Sequence, residues 1–365
     1  MKTMNNVRPF SSADSVSNLS GQQAASHPCP KEGDTVLCGM QELRLVKTIG
    51  NGGEGAIYLT DTGEVAKIYY SAECTMFRGE KIRRMLNHRL QYPGICFPKG
   101  LICNRQGTFF GYLMDRAEGI PLSGNVLNPM AMRHNFPDWK KDDVVNLCLE
   151  ILRKIRYLHS NNIIMGDINP GNILVKDPKT VYFVDTDSYQ IEDLPCPVGT
   201  TDFTAPERLK AGNVDYAHFL RTMDDDNFAI AVLLFMLMMN GVHPYTSVGE
   251  RTREENMVRQ SFPYSVKSNG YRYVPRGNWR YYWSNLPYRM KEAFVNSFQS
   301  NGSCSKPGCR YSVDEWIRMF NDYQHMLQRG KMDGNPYAHE IFPTNFKPWR
   351  KPEVHFQQTR PTYKV

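Results

Sequence analysis

The sequence predicts an α+β chain in two unequal parts, a small antiparallel β-rich part with one helix and a larger, mainly helical part behind it. Three observations carry that reading. Between residues 41 and 70 apolar residues alternate with polar ones and are broken by Gly and Asp turns, the signature of successive antiparallel strands. Val144, Leu147, Cys148, Ile151, Leu152, Ile155 and Leu158 recur at the spacing of one helix face. Phe228 to Met239 is an apolar run of 12 residues, too short for a bilayer crossing and suited to a buried helix.

In chain order, residues 1–40 are rich in Ser, Asn, Gln and Ala without periodicity and read as a disordered leader. Residues 41–117 hold the strands: Glu42 to Val46, then the Gly-rich stretch 50–55, Ala56 to Leu59, a turn at Asp61-Thr62-Gly63, and Val65 to Tyr70. Met76 to Leu90 reads as a helix through Met85, Leu86 and Leu90, and Gly100–Ile102 and Phe109–Met114 as two more strands. Residues 118–328 are helical in character, with Asp142 as the cap of the helix that carries Val144. Within them, 247–283 is polar, aromatic and Arg-rich, with turns at Asn269-Gly270 and Pro275-Arg276-Gly277, and reads as an insertion. Residues 329–365, with seven basic against three acidic side chains, read as a tail that is either packed on the surface or partner-binding.

Composition excludes several classes. A 365-residue chain with 41% apolar, 12% aromatic and 22% charged residues buries enough surface to fold. The 44 basic and 37 acidic residues leave a charge of +7 spread along the chain, so nucleic acid is not an expected partner, and the Arg and Tyr of 272–283 read as solvated. No apolar h-region opens the sequence and no membrane span is present, which places the protein in the cytoplasm as an expectation. Nine scattered cysteines without a C-x-x-C pair read as reduced structural thiols, and His88, His134, His159 and His243 as structural or surface groups. No oligomeric state is specified.

Chemistry enters with Gly50-Asn51-Gly52-Gly53-Glu54-Gly55. In a dinucleotide-binding fold such glycines open a helix, whereas here a strand follows, so they read as a hairpin whose backbone N–H groups approach phosphates. Lys67 follows in Val65-Ala66-Lys67. Further on, Asp167-Ile168-Asn169-Pro170-Gly171-Asn172 sets a carboxylate and an amide five residues apart in a loop, and Asp185 ends a strand in Val181 to Asp187.

This ordered set resembles the eukaryotic-like (Hanks-type) Ser/Thr protein kinase family, bacterial members included, from about Gln41 to Gln328. Gly199 to Thr204, followed by Ala205-Pro206-Glu207, is similar to the family's substrate-docking loop. Asp226-Asn227-Phe228-Ala229 resembles the start of its central helix, and Arg310 matches the partner of Glu207. The resemblance implies a two-lobed kinase fold and transfer of the γ-phosphoryl group of ATP to Ser/Thr hydroxyls of a protein substrate, with Mg²⁺ or alternatively Mn²⁺. It implies Asp167 as the base that receives the hydroxyl proton, Thr200 as its orienting partner, Asn169 in the place of the family's catalytic-loop Lys, and Asn172 and Asp185 as metal ligands. ATP would meet Gly50, Asn51, Gly52, Gly53 and Gly55 above its phosphates and Lys67 beside them, with Glu80 holding that lysine. The adenine would lie between Ile57, Ala66 and Leu174, against a hinge from Asp115 to Ala117 with Met114 as gatekeeper.

The departures carry expectations too. Met165-Gly166 replaces His-Arg before Asp167, so activity independent of activation-loop phosphorylation is expected. Asp185-Thr186-Asp187 replaces Asp-Phe-Gly, which removes an apolar spine element and offers Asp187 as an added metal ligand. A pseudokinase that binds nucleotide or scaffolds partners is the alternative. The catalytic-loop wording Met-Gly-Asp-Ile-Asn-Pro-Gly-Asn is similar to a bacterial subgroup, some members of which carry a DNA-binding helix-hairpin-helix region, not expected in the roughly 35 residues here.

Overall fold

The computed structural model describes residues 28–212, 214–266, 271–332 and 334–348. The remainder of the leader, the Asn269-Gly270 turn and the tail after 348 lie outside the described residues.

Six strands close into a barrel, β1 (Thr35–Cys38), β2 (Gln41–Asn51), β3 (Gly55–Thr60), β4 (Val65–Tyr69), β5 (Gly100–Cys103) and β6 (Phe109–Met114), in the order β1-β2-β3-β4-β6-β5. Every pairing is antiparallel. Alternate residues point inward, so Leu43, Leu45, Ala56, Tyr58, Ala66 and Ile68 form the barrel's own buried core. The leader boundary read at residue 40 falls too late. Thr35–Cys38 pairs with Arg44–Gln41 through a two-residue turn in which Gly39 takes φ +62°, a conformation that costs glycine little.

Helix α1 (Met76–Asn87) crosses the barrel, capped by Thr75, whose hydroxyl accepts from the Arg78 N–H at 3.2 Å. The chain then ties the two parts together: Cys96 donates to the Phe183 carbonyl at 2.9 Å and Phe183 to the Gly94 carbonyl at 2.7 Å. Beyond residue 117 come the three-stranded sheet β7 (Ile120–Pro121), β8 (Ile173–Asp177) and β9 (Thr180–Phe183), and helices α2 (Pro129–Asn135) and α3 (Lys141–Ser160). All seven apolar residues of the α3 stripe are buried. The cap is Lys140, not Asp142: Asp143 accepts from the Lys140 N–H at 2.8 Å, and Asp142 lies in the first turn, where a carboxylate favours the helix dipole.

Short α4 (Pro206–Lys210) precedes the central α5 (Met223–Met238), buried on nearly every side, and α6 (Arg253–Arg259), α7 (Trp279–Asn285), α8 (Tyr288–Phe298) and α9 (Val313–Gln328) pack around it. The 247–283 stretch is not an appended insertion. Phe262, Tyr264 and Trp283 pack their rings on Phe235 of α5, so the aromatic residues of that segment complete the core. The tail is docked as far as it is described: Lys141 donates to the His339 carbonyl, Asn240 to that of Ile341 and Asn285 to that of Asn345, at 2.9–3.0 Å. The expected Glu207–Arg310 pair forms at 2.7 Å, with Asp224 also on the guanidinium at 2.6 Å. Among the described residues no helix is long and apolar enough to cross a membrane.

Because Phe235 is fully buried at the meeting point of five aromatic rings, Phe235→Ala is expected to cost about 3–5 kcal/mol in urea unfolding. Truncating the exposed Tyr288 should stay within about 0.5 kcal/mol; equal losses would contradict this placement of the core.

Candidate active site

A cleft of about 550 Å³ opens between the barrel and the helical part, roofed by Gly50–Gly55 and floored by Gly171, Asn172, Leu174 and Asp185. The roof is a tight hairpin, with the Gly52 N–H donating to the Gly55 carbonyl at 2.9 Å. Gly55 admits no side chain, since a Cβ there would sit 2.3 Å from the Ile68 carbonyl oxygen. At Gly53 a Cβ would meet nothing within 4 Å, so packing does not require that glycine; its bareness keeps the roof's backbone clear.

Of the expected nucleotide contacts, Gly50, Asn51, Gly52, Gly53, Gly55, Ile57, Lys67, Met114, Asp115, Ala117 and Leu174 line this cleft, and Asn172 and Asp185 share its floor. Ala66 does not. It is fully buried in the barrel core, and Val65 lines the cleft instead. The reason is strand parity: Lys67 faces the cleft, so the residue two before it shares that face and the residue one before it cannot.

Glu80 does not hold Lys67 either. On α1 the buried face is Gly79, Lys81, Ile82 and Met85, which turns Glu80 toward Arg83 and Arg84 at 3.6 and 3.1 Å. The Lys67 ammonium, 4% exposed, instead meets Asp185 at 2.8 Å, Asp187 at 3.0 Å and Glu54 at 3.4 Å. Asp187 is 3% exposed and also accepts from the Tyr69 and Tyr112 hydroxyls at 2.6 and 2.8 Å, whereas Asp185 is 49% exposed. Asp187 is therefore spent on Lys67 and two phenols inside the barrel mouth and is not an added ligand facing the cleft. Burial alone would depress the Lys67 pKa, but Asp187 and Asp185 raise it. Burial alone would likewise raise the Asp187 carboxyl, and Lys67 with the phenols brings it down to about 2. Thr186 replaces the lost spine contact with a hydrogen bond from its hydroxyl to the Cys96 carbonyl, at 2.8 Å.

Helix α1 contributes a cation where an anion was expected. Arg78 holds Glu54 of the roof through two bonds at 2.8 and 3.0 Å, and its guanidinium lies 5.0 Å from the Tyr69 ring centre.

Asp167 is not among the residues that line this cleft; it shares a small pocket with Thr200, whose hydroxyl donates to it at 2.9 Å. Burial raises its pKa, and Thr200, Arg221 and Asn169 restrain that rise. Asn169 also accepts from the Gly171 N–H at 2.8 Å, capping the turn that carries Asn172. The loop is anchored from below by Asp226, in the first turn of α5, which receives the N–H groups of Met165 and Gly166 at 2.8 and 2.9 Å and His159 at 3.1 Å. Asp185 takes φ +58°, a left-handed backbone tolerated by Asp.

Sequence reasoning missed Val65, Glu54 as a Lys67 contact, Asp187 as its buried partner, and Arg78. Strand alternation contains the signal for Val65, and a lone carboxylate amid the roof glycines marks Glu54; nothing local announces Arg78.

Since Asp187 titrates lower folded than unfolded, its contribution is fully present above about pH 4 and lost as pH falls toward about 2. Asp187→Asn should cost about 3–5 kcal/mol in urea unfolding at pH 7, and the gap to the parent should narrow below pH 4. Glu80→Gln should stay below about 1 kcal/mol. The reverse ranking would restore Glu80 as the partner.

The protein kinase domain family matches residues 120–313, just over half of the chain. Protein kinase YegI of Escherichia coli strain K12 is 25% identical over 304 residues, covering 78% of this chain and 45% of that protein. Its counterpart from Escherichia coli O157:H7 is 28% identical over the same shares. The cAMP-dependent protein kinase catalytic subunit of Schizosaccharomyces pombe is 23% identical over 62% of this chain and 43% of that protein. The chain thus spans less than half the length of these curated relatives. With the antiparallel barrel in front, the helical part behind and the cleft between them, the chain belongs to the protein kinase domain family.

Proposed function

We propose that the chain transfers the γ-phosphoryl group of ATP to Ser/Thr hydroxyls of protein substrates, in the cytoplasm, with Mg²⁺ as the divalent ion. The observation that carries this reading is that Lys67, Asn172 and Asp185 line one cleft, while Asp167, bonded to Thr200 in a separate small pocket, sits five residues before Asn172 on the loop that forms the cleft floor. Phosphoryl transfer is mostly positioning and charge neutralisation, and these groups suit both. Asn172 and Asp185 offer hard oxygen atoms to a divalent cation, Lys67 meets phosphate oxygens, and the Gly50–Gly55 backbone covers them. The cation would supply neutralisation of the developing charge on the phosphates.

In this reading Asp167 receives the proton of the attacking hydroxyl, while Thr200 fixes which carboxylate oxygen faces it. Asn169 shapes the loop that presents Asn172. The side chain before Asp167 is absent, because that residue is Gly166, so position 166 itself offers a loop phosphate no cation, and in this reading transfer proceeds without loop phosphorylation. The pseudokinase reading draws on one observation: Glu54 reaches Lys67 from inside the roof, where phosphates would lie.

Purified protein incubated with labelled ATP and Mg²⁺ should label itself or a generic acceptor such as casein. Asp167→Asn and Asp185→Ala should lower labelling by about 100-fold or more. Equal labelling in all three would refute these roles, and nucleotide-induced thermal stabilisation without labelling would establish the pseudokinase. Asp167 must be ionised to act, and its pKa is raised by burial, so the acid limb of kcat/KM should lie above the ordinary Asp range. Thr200→Val removes a bond that holds the pKa down and should move that limb to higher pH; a limb that stays put would separate Thr200 from Asp167.

A further inference from the structure

Gly166 and Gly199 immediately precede the bonded pair Asp167 and Thr200, and the Arg221 side chain lies against both, beside Cys196 at the first and Tyr216 at the second. A Cβ on Gly166, whose φ is +73°, would lie 2.8 Å from one terminal nitrogen of Arg221 and 2.6 Å from the Cys196 Cβ. A Cβ on Gly199 would lie 2.6 Å from the Tyr216 ring and 2.8 Å from the other terminal nitrogen of Arg221. The guanidinium thus occupies the space between the two strands of chain that deliver Asp167 and Thr200.

Its contacts are to main-chain oxygens and aromatic rings. Arg221 is buried, donates to the Cys196 carbonyl at 2.7 Å and to the Val198 carbonyl at 2.6 Å, and lies 4.8 and 5.3 Å from the Tyr216 and Phe219 ring centres. Its own backbone is held in turn: the Gln190 amide donates to the Arg221 carbonyl at 2.9 Å and accepts from the Arg221 N–H at 2.8 Å. A second buried cation, Lys81 of α1, donates to the Ser188 and Pro195 carbonyls, both at 2.9 Å. Carbonyls 195, 196 and 198 are therefore each received by a buried cation in the unmodified chain. A charged donor to a main-chain carbonyl fixes the backbone more firmly than a neutral one.

We infer that Arg221 is a positioning residue for phosphoryl transfer, holding the 195–200 backbone so that Thr200 meets Asp167, and that it does structurally from α5's approach what a phosphate would otherwise do from the loop. This rests on the reading of Asp167 and Thr200 given above. The guanidinium bonds to backbone oxygens, shares a small pocket with Asp167 and Thr200, and by its charge also restrains the Asp167 pKa, but it does not line the nucleotide cleft. Its effect is on the turnover step, with nucleotide binding left to the barrel side.

The test uses the full chain treated with phosphatase and shown by intact mass to carry no phosphate. kcat and KM for ATP are measured with Mg²⁺ and casein for the parent, Arg221→Gln and Arg221→Lys, beside hydrogen exchange of the backbone amides. Arg221→Gln should lower kcat about 100-fold with KM for ATP within about twofold, and amides 196–201 should exchange faster while those of β3 and β4 stay as they were. Arg221→Lys, which keeps one charged donor, should recover part of kcat. Unchanged kcat and unchanged exchange at 196–201 in Arg221→Gln would overturn the inference, as would a rise in KM for ATP matching the whole loss. A phosphate-free parent without turnover would sink the transfer reading itself; hydrogen exchange then decides the positioning role alone, faster exchange at 196–201 supporting it and unchanged exchange overturning it.

Discussion

Lys67 carries its charge where water scarcely reaches, and the buried carboxylate that meets it there, Asp187, also accepts from the Tyr69 and Tyr112 hydroxyls, with the more exposed Asp185 and Glu54 adding to the pairing. A buried ion pair gains little unless its geometry is complete, and removing one member leaves the other stranded at large cost. That constraint reaches in three directions. Tyr69 belongs to β4, Tyr112 to β6 and Asp187 to the segment after β9, so one carboxylate fastens the barrel to the start of the loop that leads to Thr200. It also frees α1 from supplying an anion, and Arg78 and Lys81 on that helix instead hold the roof and the loop.

The same logic appears below the cleft. Asp226 gathers two backbone N–H groups and His159 at the head of a helix whose interior is otherwise apolar. Donors of a sharply turned loop, which would be orphaned in the core, are satisfied by one carboxylate. Asp167 thereby projects from a backbone whose two preceding N–H groups are held, and its carboxylate accepts from the Thr200 hydroxyl. Lys67 and the Asp167 loop thus each rest on a buried carboxylate that does not line the cleft, Asp187 at the barrel and Asp226 at the helical part.

Much of this was legible because periodicity is local. The α3 stripe, the strands Phe109–Met114 and Val65–Tyr69, and the order of Gly-rich turn, lysine, loop aspartate and strand-end aspartate all follow from spacing. What stayed hidden depends on partners far away in sequence. Glu80 has the right charge, yet its helix is rotated by the burial of Gly79 and Ile82, and no local pattern records that rotation. Asp187 lies 120 residues from Lys67. Ala66 against Val65 was a different kind of miss, since strand alternation already separates them. The aromatic stretch from Phe262 to Trp283 read as an insertion because its polar residues mask rings that close the core around Phe235.

Strand β1 has a consequence for recognition. A sheet that ends in an unpaired strand offers a row of bare amides and carbonyls on which another chain can lay a strand of its own. Here Leu37 and Cys38 pair with Cys103 and Ile102, which joins the first strand to the fifth and leaves the barrel rimless. A regulator approaching the barrel must therefore grip side chains, on the helix or on the outer faces of strands, or else peel β1 away first.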